Sequence, residues 1–596
     1  MELASPIEAS ARGPADVSHV ASDTPSLIPP RPTLKAPRFV LRPQDPARAG
    51  ELGRACAISP ALAQVLLNRG IMDESPARLF LAPKLAHLTL PDAMLDRTLA
   101  AQRLAEAVRR RERIVVFGDY DVDGTTSAAV LSGILEALGG DVRTLLANRF
   151  EGGYGLSEQA LDRCLAQRPR VLVTCDCGSS DHDRVSRARA AGIDVIVVDH
   201  HLVPERALEA VAFLNPHRPA CGFPYKGLCS AGLALSLGAA LRTELKANLD
   251  LREWLDLVAL GTIADVAPLD GDNRALVRAG LALLASESAR PGIVALREAA
   301  KIRAGTQLSA VDVAFRMTPR LNAAGRLGDP AITLALLRAT TLGEARALAI
   351  QIERLNGDRK DFERQATEAA IAQVGDEAGG RAGLVAAGEG WHRGVVGISA
   401  ARLVDRYFRP SLVIAIDGEH AHGSGRAPDG FPLHAALLRT SYLLDKFGGH
   451  DAAVGLTVRS DRIGALREAF DEACAELSAA QADEELVLVD ARLDGLGYGV
   501  PAASELSLLE PMGEANPEPV FEAHAELVRA DVVGLNHLKL ALRIGNREVS
   551  AFGFDLGARK LELGPSVRLF GQLRPDSYRG GDRVELRILH VENRDS

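Results

Sequence analysis

Residues 114–124 read Ile-Val-Val-Phe-Gly-Asp-Tyr-Asp-Val-Asp-Gly. The apolar run Ile114–Phe117 stops at Gly118 and hands over to Asp119, Asp121 and Asp123. A short apolar run with no alternation reads as a strand covered on both faces, as in a parallel sheet. An Ala- and Leu-rich helix is expected at Thr125–Leu138. Similar runs follow at Val142–Leu146, Val171–Thr174 and Ile193–Val198, separated by helical stretches at Ser157–Gln167 and Asp183–Ala191. Strand alternating with helix predicts an α/β fold with a parallel, doubly wound sheet. Leu255–Ala264 is read as one more apolar run of the same kind.

In such sheets ligands gather beyond the carboxyl ends of the strands. The residues after these runs are Asp119, Asp121 and Asp123; then Cys175, Asp176 and Cys177; then Asp199, His200 and His201; then Asp265. Taken singly, each has an ordinary reading. An Asp after a strand caps the next helix. Asp-x-Asp-Gly is a turn, and a calcium loop fails because the twelfth position is Ser132 rather than Glu. Paired histidines are often solvated. Together the groups are hard to dismiss, because carboxylates packed at one sheet edge repel and resist burial unless cations neutralise them. Oxygen-rich donors with one or two histidines suit Mn²⁺ or Mg²⁺. Two such ions form a clamp for displacement at phosphorus.

Composition bounds the rest. The chain has 596 residues, 47% hydrophobic and 25% charged, which excludes a wholly disordered chain, a collagen-like repeat and a disulfide scaffold. The net charge of −9 rules out a globally basic nucleic-acid coat, but a local Arg-lined groove or bound cations can still attract phosphate. Aromatics are 4%, so base stacking has few candidates. Seven scattered cysteines without paired CxxC motifs argue against structural zinc and fit reduced thiols in the cytoplasm. The first residues lack a signal-peptide pattern, and no apolar run is long enough to span a bilayer.

The expected organisation is a disordered tail over residues 1–35, a sheet domain with an N-terminal helical part over 36–335, a connecting helix over 336–378, a second α/β domain over 379–480 and a small β-barrel over 481–596. The connecting helix rests on the breaker-poor stretch Pro330–Ala372, and a break is expected around Ala479–Asp483. The barrel rests on the short runs LVLVDARL, AELVRADVVG, HLKLALRIG, VSAFGF, VRLFGQL and VELRILHVE after Leu486.

The segments VVFGDYDVDGTTS, NRFEGGYGL, TCDCG, VVDHH, GTIADVAPL and RLNAAGRLG resemble, in order and spacing, the motifs of the DHH phosphoesterase superfamily. Within it they are most similar to the bacterial exonucleases that degrade single-stranded DNA from 5′ to 3′. GEGWHRGVVGISAARL, GSGRA and FGGHDAAVG resemble the DHH-associated domain, and EPMGEANPEPVF with GLNHLKLALR resembles an OB-like oligonucleotide-binding barrel. The resemblance implies metal-ligand roles for Asp121, Asp123, Asp176, His200 and Asp265, with Asp176 bridging two divalent cations, Mn²⁺ or Mg²⁺. It puts Asp119 nearby as an outer ligand or a ligand-orienting group, and has Asp199 hold His200 through its second nitrogen. His201 is left between the scissile phosphate and the metals.

The resemblance also assigns Arg149, Arg320, Asn322 and Arg326 to substrate phosphates, although a structural salt bridge is an open alternative for each arginine. His392, Arg393, Ser424, Arg426 and His450 match a pocket for the 5′-terminal phosphate or nucleotide, with Gly423 and Gly425 allowing close backbone approach. Lys539 and Arg543 are the barrel cations expected to follow a strand, unless they merely face solvent. Cys177 stands where relatives often have Asn, and Ala515 where Gly is usual. Cys175 and Cys177 read as small buried residues, or as an oxidation-sensitive pair beside the metals. The implied partners are single-stranded DNA, a single-strand-binding protein and a recombination helicase, with no membrane. Two rival readings remain: a DHH phosphodiesterase of short oligonucleotides or cyclic dinucleotides, and a DNA-binding scaffold with a dead metal site.

Overall fold

The computed structural model describes residues 37–478, 486–494, 498–576 and 580–593. The expected tail over residues 1–35 and the expected break around Ala479–Asp483 lie outside them. The chain forms two compact units, one of residues 36–360 with 482–596, the other containing residues 361–481.

The larger unit begins with a short strand, β1 (Arg38–Leu41), and helices α1 (Pro46–Cys56), α2 (Pro60–Asn68), α3 (Glu74–Leu81) and α4 (Arg97–Arg110). The sheet domain then runs β2 (Arg113–Gly118), α5 (Val122–Ala137), β3 (Asp141–Leu146), α6 (Glu158–Ala166), β4 (Val171–Cys175), α7 (His182–Ala190), β5 (Asp194–Val198) and β6 (Ala212–Leu214). The strands pair in parallel in the order β3-β2-β4-β5-β6. Successive strand residues feed opposite cores, as the period of two requires. Ile114, Val116, Val171, Val173, Ile196 and Val198 face one layer of helices. Val115, Phe117, Leu172, Val195 and Val197 face the other. Burial on both sides is why these strands read as unbroken apolar runs.

Helices α8 (Ser230–Glu244), α9 (Leu255–Ala264), α10 (Gly271–Ala285), α11 (Pro291–Ala299), a one-turn α12 (Ala310–Asp312) and α13 (Thr318–Leu327) follow. Here the expectation for Leu255–Ala264 is corrected: it is a helix, not a strand, and nine of its ten residues are buried. A helix apolar on every side shows no helical period, so only its length separates it from a buried strand. The helical stretch from Pro330 is also not continuous. It splits at Ala339 into α14 (Ala331–Arg338) and the 33-residue α15 (Leu342–Val374), which Thr341 starts by accepting from the Glu344 amide.

In the smaller unit, β7 (Leu384–Glu389), α16 (Val396–Tyr407), β8 (Ser411–Asp417), β9 (His420–Arg426), α17 (Leu433–Arg439), β10 (Leu444–His450), β11 (Ala453–Arg459) and α18 (Ile463–Ser478) build a mixed sheet of order β10-β11-β9-β8-β7 with a core on each face.

The remaining strands return to the larger unit: β12 (Leu486–Val489), β13 (Ala491–Leu493), β14 (Val520–Val533), β15 (His537–Ile544), β16 (Arg547–Gly553), β17 (Ser566–Pro575) and β18 (Val584–Asn593). β14 closes the barrel by serving two neighbours. Its first half pairs with β17, its second half with β15, and a bulge at Leu527/Arg529 turns the strand. The circuit β14-β15-β16-β18-β17 returns to β14. Residues 36–335 form one grouping in sequence, yet the buried side chains of α1, α2 and α3 share a single cluster with the barrel. β1 likewise pairs in parallel with β12.

Candidate metal centre

The carboxyl edge of the parallel sheet carries the site. Asp119 follows β2, is fully buried, and accepts from the Gly155 amide at 3.1 Å through Oδ1. Asp121 caps α5, accepting from the Gly124 amide at 2.9 Å. Asp123, in the first turn of α5, receives the Ser230 amide at 2.7 Å and the Ala231 amide at 3.0 Å, so the start of α8 holds it. Asp176, just past β4, sits at φ +64° and accepts from the Ser230 hydroxyl at 3.1 Å. His200 Nε2 lies 3.3 Å from Asp176 Oδ1 and 3.6 Å from Asp265 Oδ2.

Three sets of donors therefore converge: Asp119, Asp121 and Asp176; Asp123, His200 and Asp265; and Asp176, His200 and His201. Within each set the ligand atoms lie within 4.8 Å of one another. Asp176 and His200 each belong to two sets, which ties the sets into one centre. Asp119 stands among the converging donors rather than outside them. Asp265 reaches the centre from the C-cap of α9, not from a strand end.

The residues fit a pair of hard cations. Asp119 Oδ2 and His200 Nε2 are buried polar atoms with no hydrogen-bond partner among the described residues, although both residues belong to the donor sets. Burial, compounded by neighbouring carboxylates, pushes Asp119 and Asp176 well above the usual carboxylate range, and burial also raises Asp123. Asp265 is pushed up to about 8, first by burial and then by Asp123 and Asp121. Such mutual repulsion is what bound cations relieve.

Asp199 meets the His201 ring rather than the His200 ring, which corrects the sequence reading; of His200 it takes only the backbone amide, at 2.8 Å. Its Oδ1 accepts from His201 Nδ1 at 2.7 Å, and its Oδ2 from the Ser179 amide at 3.1 Å. Burial alone would raise Asp199, but the His201 hydrogen bond and charge hold it far below the usual range. Adjacent side chains at a strand end turn to different sides, and spacing does not say which ring meets the carboxylate. Tyr154, quoted within NRFEGGYGL but given no role there, donates to the Asp176 carbonyl at 3.1 Å and lies 3.1 Å from His201 Nδ1. Ser230 was also missed: it follows no strand, so no strand-end argument reaches it.

The expected phosphate contacts divide. Arg149 lies over the Tyr120 ring at 4.4 Å, and its buried Nε has no hydrogen-bond partner among the described residues. Arg326 also acts electrostatically on Tyr120. Its helix α13 presses on the Asp119–Asp121 turn, since a Cβ at Gly325 would stand 2.5 Å from the Tyr120 carbonyl oxygen. Asn322 is half-buried on the same helix. Arg320, by contrast, is consumed within the protein. It pairs with Glu353 at 2.6 Å and donates to the Arg316 and Ala299 carbonyls, the structural salt bridge that the sequence left open. Cys175 and Cys177 are fully buried, and burial raises both thiols, which leaves them in the unreactive form.

In the smaller unit, His392 stacks on Phe362 with centroids 5.4 Å apart, in the turn ahead of α16 that also carries Arg393. Arg426 donates to Ser424 Oγ at 3.1 Å. The register places Ala453 between Arg426 and His450. Gly423 and Gly425 are not ligand cradles. A Cβ at Gly425 would meet Leu412 at 2.5 Å, and one at Gly423 would meet Ile414 at 2.9 Å, so both are small because of the core.

Residues 113–262 match the DHH family N-terminal domain, residues 380–476 the DHHA1 domain and residues 489–590 the RecJ OB domain. The single-stranded-DNA-specific exonuclease RecJ of Escherichia coli K12 is 39% identical over 516 residues, covering 83% of this chain and 89% of that protein. RecJ of Bacillus subtilis is 33% identical over 92% of this chain and 70% of its own. The crystal structure of Thermus thermophilus RecJ with Mn²⁺ superposes with a TM-score of 0.79 at 30% identity, covering 94% of this chain and 80% of that one. Its complex with Mg²⁺ gives 0.74, also at 30% identity, over 94% and 79%.

Proposed function

Because the chain belongs to the RecJ family of single-stranded-DNA-specific exonucleases, we propose that it shortens single strands from the 5′ end and releases mononucleotides. It is a metal-dependent phosphodiester hydrolase of DNA repair and recombination. The observation that carries this reading is the convergence of Asp119, Asp121, Asp123, Asp176, His200, His201 and Asp265 on one centre.

Asp121, Asp123, Asp176, His200 and Asp265 would hold two divalent cations, with Asp176 as a donor shared by two of the sets and Asp119 beside it. Bound there, Mn²⁺ or Mg²⁺ neutralises phosphoryl charge and makes water a competent nucleophile near neutral pH. The chain's own contribution is order. The α8 amides orient Asp123, Ser230 orients Asp176, and Asp199 with Tyr154 holds His201 at the edge of the centre, Nδ1 donating to Asp199 and Nε2 lying 3.3 Å from the Tyr154 hydroxyl. Arg149, Arg326 and Asn322 line the approach to this centre as phosphate contacts. In the smaller unit, His392, Arg393, Ser424, Arg426 and His450 would take the 5′-terminal phosphate. On the barrel, Lys539, Phe552 and Arg587 form one row across β15, β16 and β18, and Phe554 is half exposed beside it, a basic and aromatic track for a strand, with Arg543 further along β15.

A DHH phosphodiesterase acting on short oligonucleotides or cyclic dinucleotides has no use for such a track. The decisive assay incubates single strands labelled at either end with Mn²⁺ or EDTA. The 5′ label should appear first as a mononucleotide, and EDTA should abolish release. Release of the 3′ label first, internal cuts, or turnover of dinucleotides alone would overturn the reading. We place the protein in the cytoplasm, which its seven free cysteines support, with a single-strand-binding protein and a recombination helicase as partners. No described helix is long and apolar enough to cross a membrane.

A further inference from the structure

A cavity of about 380 Å³ opens in the larger unit, between α8, the start of α9, α10 and the segment before α4. Its volume falls within the roughly 300–1,000 Å³ of small-molecule sites. Leu88, Phe223, Leu235 and Leu276 give it an apolar wall. Arg97 and Arg242 also line it, and neither makes an ion pair among the described residues. Among the described residues, Arg97 donates to Ser236 alone, to its carbonyl at 2.7 Å and its hydroxyl at 2.9 Å, and Arg242 to the Leu249 carbonyl alone at 3.3 Å. Arg252, at the rim, is already paired with Asp250. The acid in the lining is Asp272, whose Oδ1 is taken by the Thr89 amide at 2.9 Å and the Thr89 hydroxyl at 3.0 Å. An apolar wall with two guanidinium groups that hold no ion pair among the described residues selects an apolar body carrying one anionic group.

We propose that this cavity is a binding site for a small aromatic or aliphatic anion, separate from the metal centre and coupled to it through α8. The wall includes Leu228 and Gly232. Between them, the Ser230 and Ala231 amides hold Asp123, and the Ser230 hydroxyl holds Asp176. A ligand seated against Leu228 and Gly232 therefore bears on the turn that positions two cation ligands. The cavity is also lined by Leu255, the first residue of α9, whose far end presents Asp265. The coupling rests on the metal-centre reading above, whereas the binding does not.

The test is a fluorescence titration of the full-length protein with anilinonaphthalenesulfonate, first in EDTA. Saturable one-site binding is expected. Arg97→Gln should weaken it about tenfold, or ~1.4 kcal/mol, while the uncharged N-phenylnaphthylamine binds both proteins alike. Ala239→Trp, which fills the cavity from a half-buried position, should abolish binding of both probes while circular dichroism stays unchanged. Non-saturable binding, equal affinity in Arg97→Gln, or undiminished binding in a folded Ala239→Trp protein would overturn the site. Saturating Mg²⁺ should then shift the probe's dissociation constant by about fivefold. An unchanged constant in a protein whose exonuclease activity responds to Mg²⁺ would overturn the coupling alone. An unchanged constant in a protein that binds no Mg²⁺ would overturn both the coupling and the metal-centre reading.

Discussion

Asp176 does two jobs from a backbone conformation that most side chains avoid. At φ +64° only Gly, Asn and Asp are comfortable, and of these only Asp offers a charged ligand shared by two donor sets. Asp176→Asn keeps the shape and the tolerated φ. It should lower kcat in saturating Mn²⁺ by on the order of 10³, while raising the melting temperature in EDTA because one buried, repelled charge is gone. Steady-state kinetics and calorimetry check the two halves. Tyr154→Phe should cost about tenfold in kcat with KM nearly unchanged, because it removes the hydroxyl that meets His201 and the Asp176 carbonyl while leaving every carboxylate and imidazole in place. At this scale the sequence was legible for carboxylates and imidazoles, whose chemistry is written in their type. It was silent on Tyr154 and Ser230, whose importance comes from where they point.

The helices and strands act by delivering backbone as much as side chains. The first amides of α8 orient Asp123, and α13 rests on the turn that carries Asp119 and Asp121. Gly325→Ala would drive a methyl to 2.5 Å from the Tyr120 carbonyl oxygen. The expected result is a loss of roughly 1–3 kcal/mol of stability in denaturant titrations, with weaker Mn²⁺ binding by calorimetry. The parallel strands were legible because burial on both faces leaves a short apolar run ended by a polar turn. Leu255–Ala264 was not, because complete burial erases periodicity, and Asp265 consequently arrives on a helix. The split of the long helical stretch at Ala339 was hidden for a different reason: the break itself holds only Ala339, Thr340 and Thr341, and Gly343 falls inside α15.

For the molecule as a whole, the acid cluster makes stability depend on pH and metal together. Asp265 is raised from 3.8 to about 8, so across that window the folded state binds more protons than the unfolded state. By linkage, metal-free stability is greatest below pH 4 as far as this group is concerned, and declines as pH rises toward 8. Asp119, Asp123 and Asp176 shift in the same direction. Melting temperatures in EDTA should therefore fall between pH 5.5 and 8, and Mn²⁺ should restore most of the loss at the upper end. The parallel-sheet fold and the barrel were anticipated from apolar runs and turn signals, whereas the joining of residues 482–596 with 36–360 in one compact unit was not. The alliance of α1–α3 with the barrel was not, because helix periodicity shows that a face is buried without naming its partner. That alliance bears on how the protein is made. The first helices leave the ribosome long before the strands that cover them, since residues 49–81 share their core with residues 491–591. Until the final segment is synthesised, their greasy faces must wait, shielded by a chaperone or by transient contacts. A chain halted before Leu486 would lose its barrel and also strand its own beginning.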